Sequence, residues 1–502
     1  MTTIRTRVVV IGTGFSGIGM GIKLKEAGHH DFVILEKADD IGGTWRDNTY
    51  PGCACDVPSH LYSFSFEPNT EWSKMWSGQP EILAYLRGVV DKHGLREHIR
   101  FGRTCAGGRW DPENSVWHID TVEGDTVVAQ FVVSGVGALH IPNVPALDGV
   151  ETFDGPAFHS AQWDHSVDLT GKRVAVIGTG ASAVQFVPQI VDRVAELQLY
   201  QRTPAWVTPR KNFEIPSAAR AAFRRLPGVR RLFRDGVYLF AETLAFGLNG
   251  RPYLMKPIEN AAKKNIAKSI DDPALREKLT PDYRIGCKRI LGSDTYYPAL
   301  NREHTQVITD GIEKVTPRGI VARDGIEREV DVIVYATGFH VTDGFESVNI
   351  AGLDGTQLVP HWQENGIRTH LGITAAGYPN AFFLLGPNTG LGHNSVVFMI
   401  EQQISYVIEA IGLVDSASAR AIMVRDDAQA RFDTEIHRKL SRGVWSTGGC
   451  TSWYLDASGV NRTIWPGGTW QYWLRTRSVD PADYEFLGVR RDTPTDLAEV
   501  SA

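Results

Sequence analysis

The sequence predicts an α/β fold in which one chain carries two Rossmann-like dinucleotide-binding domains, the second interrupted by a helical insertion. Two observations lead there. A glycine turn is written twice, as VVIGTGFSG at 9–17 and as VAVIGTGASA at 174–183, each time on the end of a short apolar run. Behind each turn comes a second strand, DFVILEK in the first case and ELQLYQR in the second. Strand, turn, helix and strand in that order are what a dinucleotide-binding unit requires.

In the first unit, Val8, Val9, Val10 and Ile11 make the continuous apolar run of a parallel strand buried on both faces. Gly12, Gly14 and Gly17 complete GxGxxG around Phe15 and Ser16, and Ile18, Ile22, Leu24 and Ala27 carry the pattern on as a helix. The three glycines serve different needs, namely a tight turn, close approach of backbone to a pyrophosphate, and packing of helix on strand. The second strand ends in Glu36, placed to accept hydrogen bonds from a ribose 2′-hydroxyl.

The second unit repeats the plan with Val174–Ile177, then Gly178, Thr179, Gly180, Ala181, Ser182 and Ala183 as GxGxxA. At the distance from its first glycine where the first unit has Glu36, it has Arg202, with Thr203 beside it. An arginine suits a 2′-phosphate that a carboxylate would repel. The two turns are therefore expected to hold different ligands, a dinucleotide with a free ribose at the first and NADPH at the second. Such a pair implies a redox relay in which NADPH gives hydride to a bound flavin, and FAD is the economical occupant of the first site.

Between the units, ADDIGGTWRDNTYPGCACDVPSHLYSFSF is rich in glycine, aromatics and turn residues and reads as functional loop. QFVVSGVGA and REVDVIVYATGF are short apolar strands ending in small residues, and Pro142 and Pro145 mark a linker. The expected division is 1–141 for the first part of the FAD domain, 142–335 for the NADPH domain, and 336–502 for the rest of the FAD domain and a C-terminal segment. The helical insertion spans about 211–280. Its basic cluster, Arg224, Arg225, Arg230, Arg231 and Arg234, adjoins Phe223, Leu232 and Phe233. Pro227 and Gly228 interrupt any single amphipathic helix, so the segment reads as a solvated face of a domain covering the active site rather than as a membrane-binding element. FFLLGPNTGLGHNS reads as a strand and glycine-rich loop, and Glu401 and Glu409 make the helix from about 395 to 412 amphipathic.

Composition narrows the partners. A chain of 502 residues with 42% hydrophobic and 22% charged content reads as soluble globular protein, and a net charge of −6 shows no footprint for DNA or RNA. Five cysteines, odd in number and thinly spread, do not make a disulfide framework, and Cys53 and Cys55 fit neither a bridge nor a zinc site. No metal is expected. The start MTTIRTRVVVIGTG leaves no room for a signal peptide, and no apolar run approaches the roughly 18 residues of a membrane helix. The expected compartment is the cytoplasm.

Two longer patterns add a family. FDGPAFHSAQWD supplies Phe153, Gly155, His159, Trp163 and Asp164, fitting FxGxxxHxxxW followed by Pro or Asp, and GGTWRDNTYPGCACD supplies Gly42, Gly43, Trp45, Tyr50, Pro51, Gly52 and Asp56 in register. With them the chain resembles, over nearly its whole length, the FAD- and NADPH-dependent Baeyer–Villiger monooxygenases, class B flavoprotein monooxygenases. The resemblance implies that NADPH reduces FAD, reduced FAD captures O2 as a C4a-peroxyflavin, and one oxygen is inserted next to a ketone carbonyl to give an ester or lactone.

It also implies roles for residues. Arg289 in GCKRILGSDTYYPAL is the expected cation that holds developing negative charge near the flavin, and Asp56 the carboxylate that positions it. Lys288, Arg202 and Thr203 are the expected 2′-phosphate contacts. Gly43, Thr44, Trp45 and Tyr62 are expected beside FAD, and Trp453 in CTSWYLDASG on the nicotinamide side. His159 and Trp163 are expected between the domains, coupling their motion, with linkers near 142 and 336 as hinges. The rival readings are an N- or S-oxidising flavin monooxygenase, against which Trp163 and Asp164 weigh, and a non-catalytic NADPH-sensing flavoprotein. A disulfide reductase is disfavoured because Cys53-x-Cys55 lacks the usual spacing of a redox pair.

Overall fold

In a computed structural model, residues 2–341, 349–456 and 458–489 are described. Two separate sheets follow from the two glycine turns. The first is built outward from Thr3–Ile11, with Phe32–Leu35 parallel on one side and Thr126–Ser134 parallel on the other. Successive residues of the central strand point to opposite faces. Val8 and Val10 accordingly enter one apolar cluster and Val9 and Ile11 another. Ile99–Arg100 extends the sheet on one side, and the antiparallel strands Cys105–Asp111 and Val116–Thr121 on the other.

The chain returns to this sheet late. Ile350–Ala351 pairs with Gly108 and Arg109, and Ala381–Phe383 runs parallel to Thr126–Ser134. The helix Val396–Ser416 then packs against Phe15–Glu26 of the first turn and against the later helix Thr469–Thr476. By length and composition alone Val396–Ser416 could cross a membrane, yet it buries Ile404, Val407, Ala410 and Ile411 as a core helix.

The second sheet has five parallel strands in the order Thr305–Ile308, Glu196–Tyr200, Arg173–Ile177, Val332–Tyr335 and Ala157–His159. The insertion folds as four helices: Ser217–Arg225, Pro227–Leu248, Lys256–Ser269 and Pro273–Leu279. The break falls at Leu226, where Pro227 opens the next helix in the position that needs no backbone N–H. The two connections between the sheets lie side by side. Asn143 N donates to Gly338 O at 2.9 Å and His340 N to Ile141 O at 3.0 Å, so entry to and exit from the second sheet form one short antiparallel strap.

One disulfide does form, between Cys287 and Cys450, across 163 residues of sequence. This corrects the reading of an unpaired set: pairing depends on which distant segments meet, and an odd, scattered count does not record that. Cys53, Cys55 and Cys105 are free and buried.

Candidate active site

The first turn is shaped as its glycines require. Gly12 has φ +96°, and a Cβ there would stand 2.9 Å from the Gly135 carbonyl oxygen; at Gly17 it would overlap Gly12 O at 1.8 Å. Gly14 is the opposite case, with nothing within 4 Å of where its Cβ would point. The helix after it starts without a side-chain cap. Open space beside uncapped N–H groups fits a pyrophosphate.

Glu36 lies beneath this turn, 3% exposed. Its Oε2 accepts from Thr13 N at 3.0 Å and Thr13 Oγ1 at 2.5 Å, and its Oε1 from Ala38 N at 3.0 Å, with Arg46 Nη1 at 2.9 Å. Burial works against its charge, but these donors together outweigh it and hold the carboxyl below its usual range. A carboxylate has about four lone-pair sites, and the protein uses four. A ribose hydroxyl would therefore displace one of these donors. Above the turn, Gly43 sits so close to Gly14 that a Cβ would meet its Cα at 3.2 Å, and Trp45 Nε1 donates to the Tyr62 hydroxyl at 3.1 Å. Phe15 stacks edge-on against Tyr62 at 5.1 Å. Thr44 begins the short helix that carries Trp45.

The second turn has the same backbone and a different surround. Gly178 has φ +111° and would clash with Ala336 O at 2.4 Å, while Gly180 has only a contact at 3.8 Å, and the helix Ala181–Ile190 also starts uncapped. Thr179 Oγ1 donates to Thr203 O at 2.8 Å, tying the turn to the end of the second strand. Arg202, Thr203 and Lys288 line one cavity of ≈ 570 Å³ together with Tyr283, Cys450 and Thr451. Lys288 Nζ lies 5.3 Å over the Tyr283 ring. Burial lowers its pKa first and the charge of Arg202 second, as two cations facing one space must. Among the described residues neither is in an ion pair.

Between the two turns, Arg289 and Asp56 form a bidentate pair, Nε to Oδ2 at 2.5 Å and Nη2 to Oδ1 at 2.7 Å. They come from opposite units, and their side chains remain 31% and 25% exposed. Burial opposes the charge of Asp56, and Arg289 overrides it, so the carboxyl stays below its usual range; the Asp56 charge in turn raises Arg289. The remaining Nη1 reaches only Leu391 O, at 3.4 Å.

Comparison with known proteins places this arrangement. The pyridine nucleotide-disulphide oxidoreductase family matches over residues 9–217. A Baeyer–Villiger monooxygenase of Pseudomonas aeruginosa is 50% identical over 496 residues, 99% of this chain and 93% of that protein. The chain belongs to the Baeyer–Villiger monooxygenases. Among solved structures, closed cyclohexanone monooxygenase superposes with a TM-score of 0.87 at 29% identity, covering 97% of this chain and 100% of that one. OTEMO in complex with FAD and NADP gives 0.86 at 28%, covering 96% and 99%.

The Baeyer–Villiger fingerprint takes a concrete form in this chain. Trp163 packs on Phe158 at 5.3 Å and Phe186 at 5.2 Å, and Phe186 reaches Tyr50 at 6.2 Å, so an aromatic row runs from the fingerprint to the Asp56 loop. His159, 2% exposed, accepts from Ala161 N at 3.1 Å and meets Phe339 of the strap at 5.8 Å. A Cβ on Gly155 would hit Asp331 O at 2.4 Å, and Phe153 joins a small cluster under the second sheet. Asp164 is different: it faces solvent and caps Ser166 through N and Oγ at 2.9 and 2.6 Å.

Three residues beyond the expected set belong to the site. Gln185, on the helix of the second turn, accepts from Tyr50 OH at 2.9 Å and donates to Ala54 O at 2.9 Å, clamping the Asp56 loop to the other unit. Arg210 donates to Cys55 O, and Asp56 is the main charge supporting its buried guanidinium. Tyr454 is 1% exposed beside Arg289; burial pushes its phenol up to about 12, while Arg289 pulls it back. Its neighbour Trp453 is 44% exposed and packs with tilted rings at 4.2 Å on Tyr454, so it is Tyr454 that faces inward from this segment. Aromatic adjacency marks the segment in sequence, and nothing local marks Gln185 or Arg210.

Proposed function

We propose that this chain uses FAD, NADPH and O2 to insert one oxygen next to a ketone carbonyl, giving an ester or lactone. The observation that carries the reading is the Arg289–Asp56 pair, a cation supplied by one dinucleotide unit and held by a carboxylate of the other. When bound, FAD reduced by NADPH supplies the activation of dioxygen. The first turn, with Gly12, Gly14 and Gly17, would hold FAD through its open cradle, and Gly43, Thr44, Trp45 and Tyr62 would wall it. The second turn would hold NADPH, with Arg202, Lys288 and Thr203 at its 2′-phosphate.

The chain's own contribution is positioning and charge. Two of the five N–H bonds of Arg289 go to Asp56 and one is directed at Leu391 O, which leaves one hydrogen on each Nη to meet anionic oxygen. Asp56 keeps the guanidinium plane fixed and takes no proton, since its carboxyl is held ionised. Gln185 holds the loop that carries Asp56. Negative charge that develops on a ketone oxygen is then met by a cation already in place. We further propose the division 1–141, 142–335 and 336–502, with the strap at 141–143 and 338–340 as the hinge, His159 and Trp163 as its coupling, and the cytoplasm as the compartment.

The deciding variant is Arg289→Ala. Flavin reduction by NADPH should stay within about threefold of native, while ketone-dependent ester formation, read by mass spectrometry, should fall by about 100-fold or more. Native yield of ester from this variant would remove Arg289 from the role. Oxygen transfer to amines or sulfides alone by the native enzyme would replace the reaction.

A further inference from the structure

The insertion carries a face that this chemistry does not use. Residues 217–269 hold eleven lysines and arginines against three acids, a local charge of +8 in a chain whose formal total is −6. The long helix Pro227–Leu248 packs inward through Ala241, Glu242, Ala245 and Leu248. On its outer side Val229, Leu232, Leu239, Phe240 and Phe246 recur at close to helical spacing, and Leu232 and Phe240 are 74% and 72% exposed. An apolar stripe therefore faces solvent. The expectation of a solvated charged face does not include it, because periodicity marks a stripe without saying which way it points.

The stripe continues onto a second element. Thr469, at the start of the helix Thr469–Thr476, donates through Oγ1 to Glu242 Oε1 at 2.7 Å and lies 3.0 Å from the Tyr238 hydroxyl, which fixes the two helices together. From that helix Trp470, Trp473 and Leu474 stand exposed. Phe246 and Trp470 share a cavity of ≈ 380 Å³ with Arg251, Arg438 and Arg442. Among the described residues none of these three guanidinium groups is in an ion pair.

Contiguous exposed apolar surface is rare on proteins that stay free in water. Tryptophan, leucine and phenylalanine rimmed by unpaired arginine make up a surface that lies in a headgroup layer, apolar groups in the acyl boundary and cations on phosphate. A second copy of this chain is a poor occupant, since it would set one rim of Arg251, Arg438 and Arg442 against another. We propose that this face docks on an anionic lipid bilayer.

The test uses the full-length holoenzyme and vesicles of phosphatidylcholine with or without phosphatidylglycerol, read by co-sedimentation. Binding should be at least about tenfold stronger to the anionic vesicles and should be released by high salt. Leu232→Ser with Phe240→Ser should lose about tenfold in binding, and so should Arg251→Glu with Arg442→Glu, each keeping native turnover of a water-soluble ketone. No binding to anionic vesicles, or native binding by both variants, would overturn the proposal. So would concentration-dependent self-association in light scattering that the serine variant abolishes while vesicles stay bare.

Discussion

The two glycine turns share a backbone and differ in what stands behind them. At the first, Glu36 is buried and its oxygens are taken by Thr13, Ala38 and Arg46. At the second, Arg202 and Lys288 face a cavity of ≈ 570 Å³, and among the described residues no carboxylate is paired to either. The difference separates two kinds of binding. A turn stiffened by its own buried network is preorganised for a ligand that stays, whereas unpaired cations around open space suit an anion that arrives and leaves. FAD and NADPH stand in that relation, because one is reduced in place and the other is exchanged at each turnover.

The largest test of this contrast removes the cations. Arg202→Ala with Lys288→Ala should raise KM for NADPH by about 100-fold, since each charge-assisted contact to a phosphate contributes roughly 1.5–3 kcal/mol. KM for NADH should hardly move, and bound FAD should stay at the native level. A rise in KM below about tenfold would mean that these residues do not read the 2′-phosphate.

A smaller effect is expected at the other turn. Glu36→Gln keeps the shape but leaves Arg46 with Asp47 as its remaining counter-charge and weakens the grip on Thr13. FAD retained through gel filtration should fall by about tenfold in apparent affinity, with KM for NADPH unchanged. Were KM for NADPH to shift instead, the assignment of the two turns would be reversed.

What the sequence shows and what it hides divide along contact range. Gly12, Gly14, Gly178 and Gly180 are legible because a tight turn and a close backbone approach demand glycine at fixed offsets, and Glu36 and Arg202 are legible because each ends a second strand. The Arg289–Asp56 pair is legible only through the resemblance, since 233 residues separate its members. Gln185 sits mid-helix in VQFVPQ, where nothing distinguishes it, and its role exists only once the Asp56 loop lies against that helix. The same holds for Cys287–Cys450 and for Tyr454 against Trp453, where neighbours alike in type take opposite sides of the chain surface.

The contrast between a satisfied first unit and an open second one has an exception at His60, which offers the smallest effect. It is 4% exposed on the loop beyond Asp56, and among the described residues neither ring nitrogen has a hydrogen-bond partner. Phe223 and Phe233 of the insertion close over it at 4.9 and 5.2 Å, and Arg234 donates to its carbonyl. Burial first, then the charges of Arg234 and Arg230, lower its pKa from 6.5 to about 4. A group whose folded pKa is depressed binds its proton more readily unfolded. Stability from keeping this ring neutral is therefore complete above 6.5 and is lost as pH falls through the window toward 4. The thermal midpoint, followed by flavin fluorescence, should drop by a few degrees across that window beyond the general acid trend. His60→Phe fills the same aromatic gap with a ring that cannot take a proton, and it should flatten this part of the profile. An unchanged slope in that variant would move the titrating group elsewhere, leaving the insertion held to the first unit by Arg234, the Arg224–Glu71 pair, backbone bonds such as Ile215 N to Ser73 O, and packing.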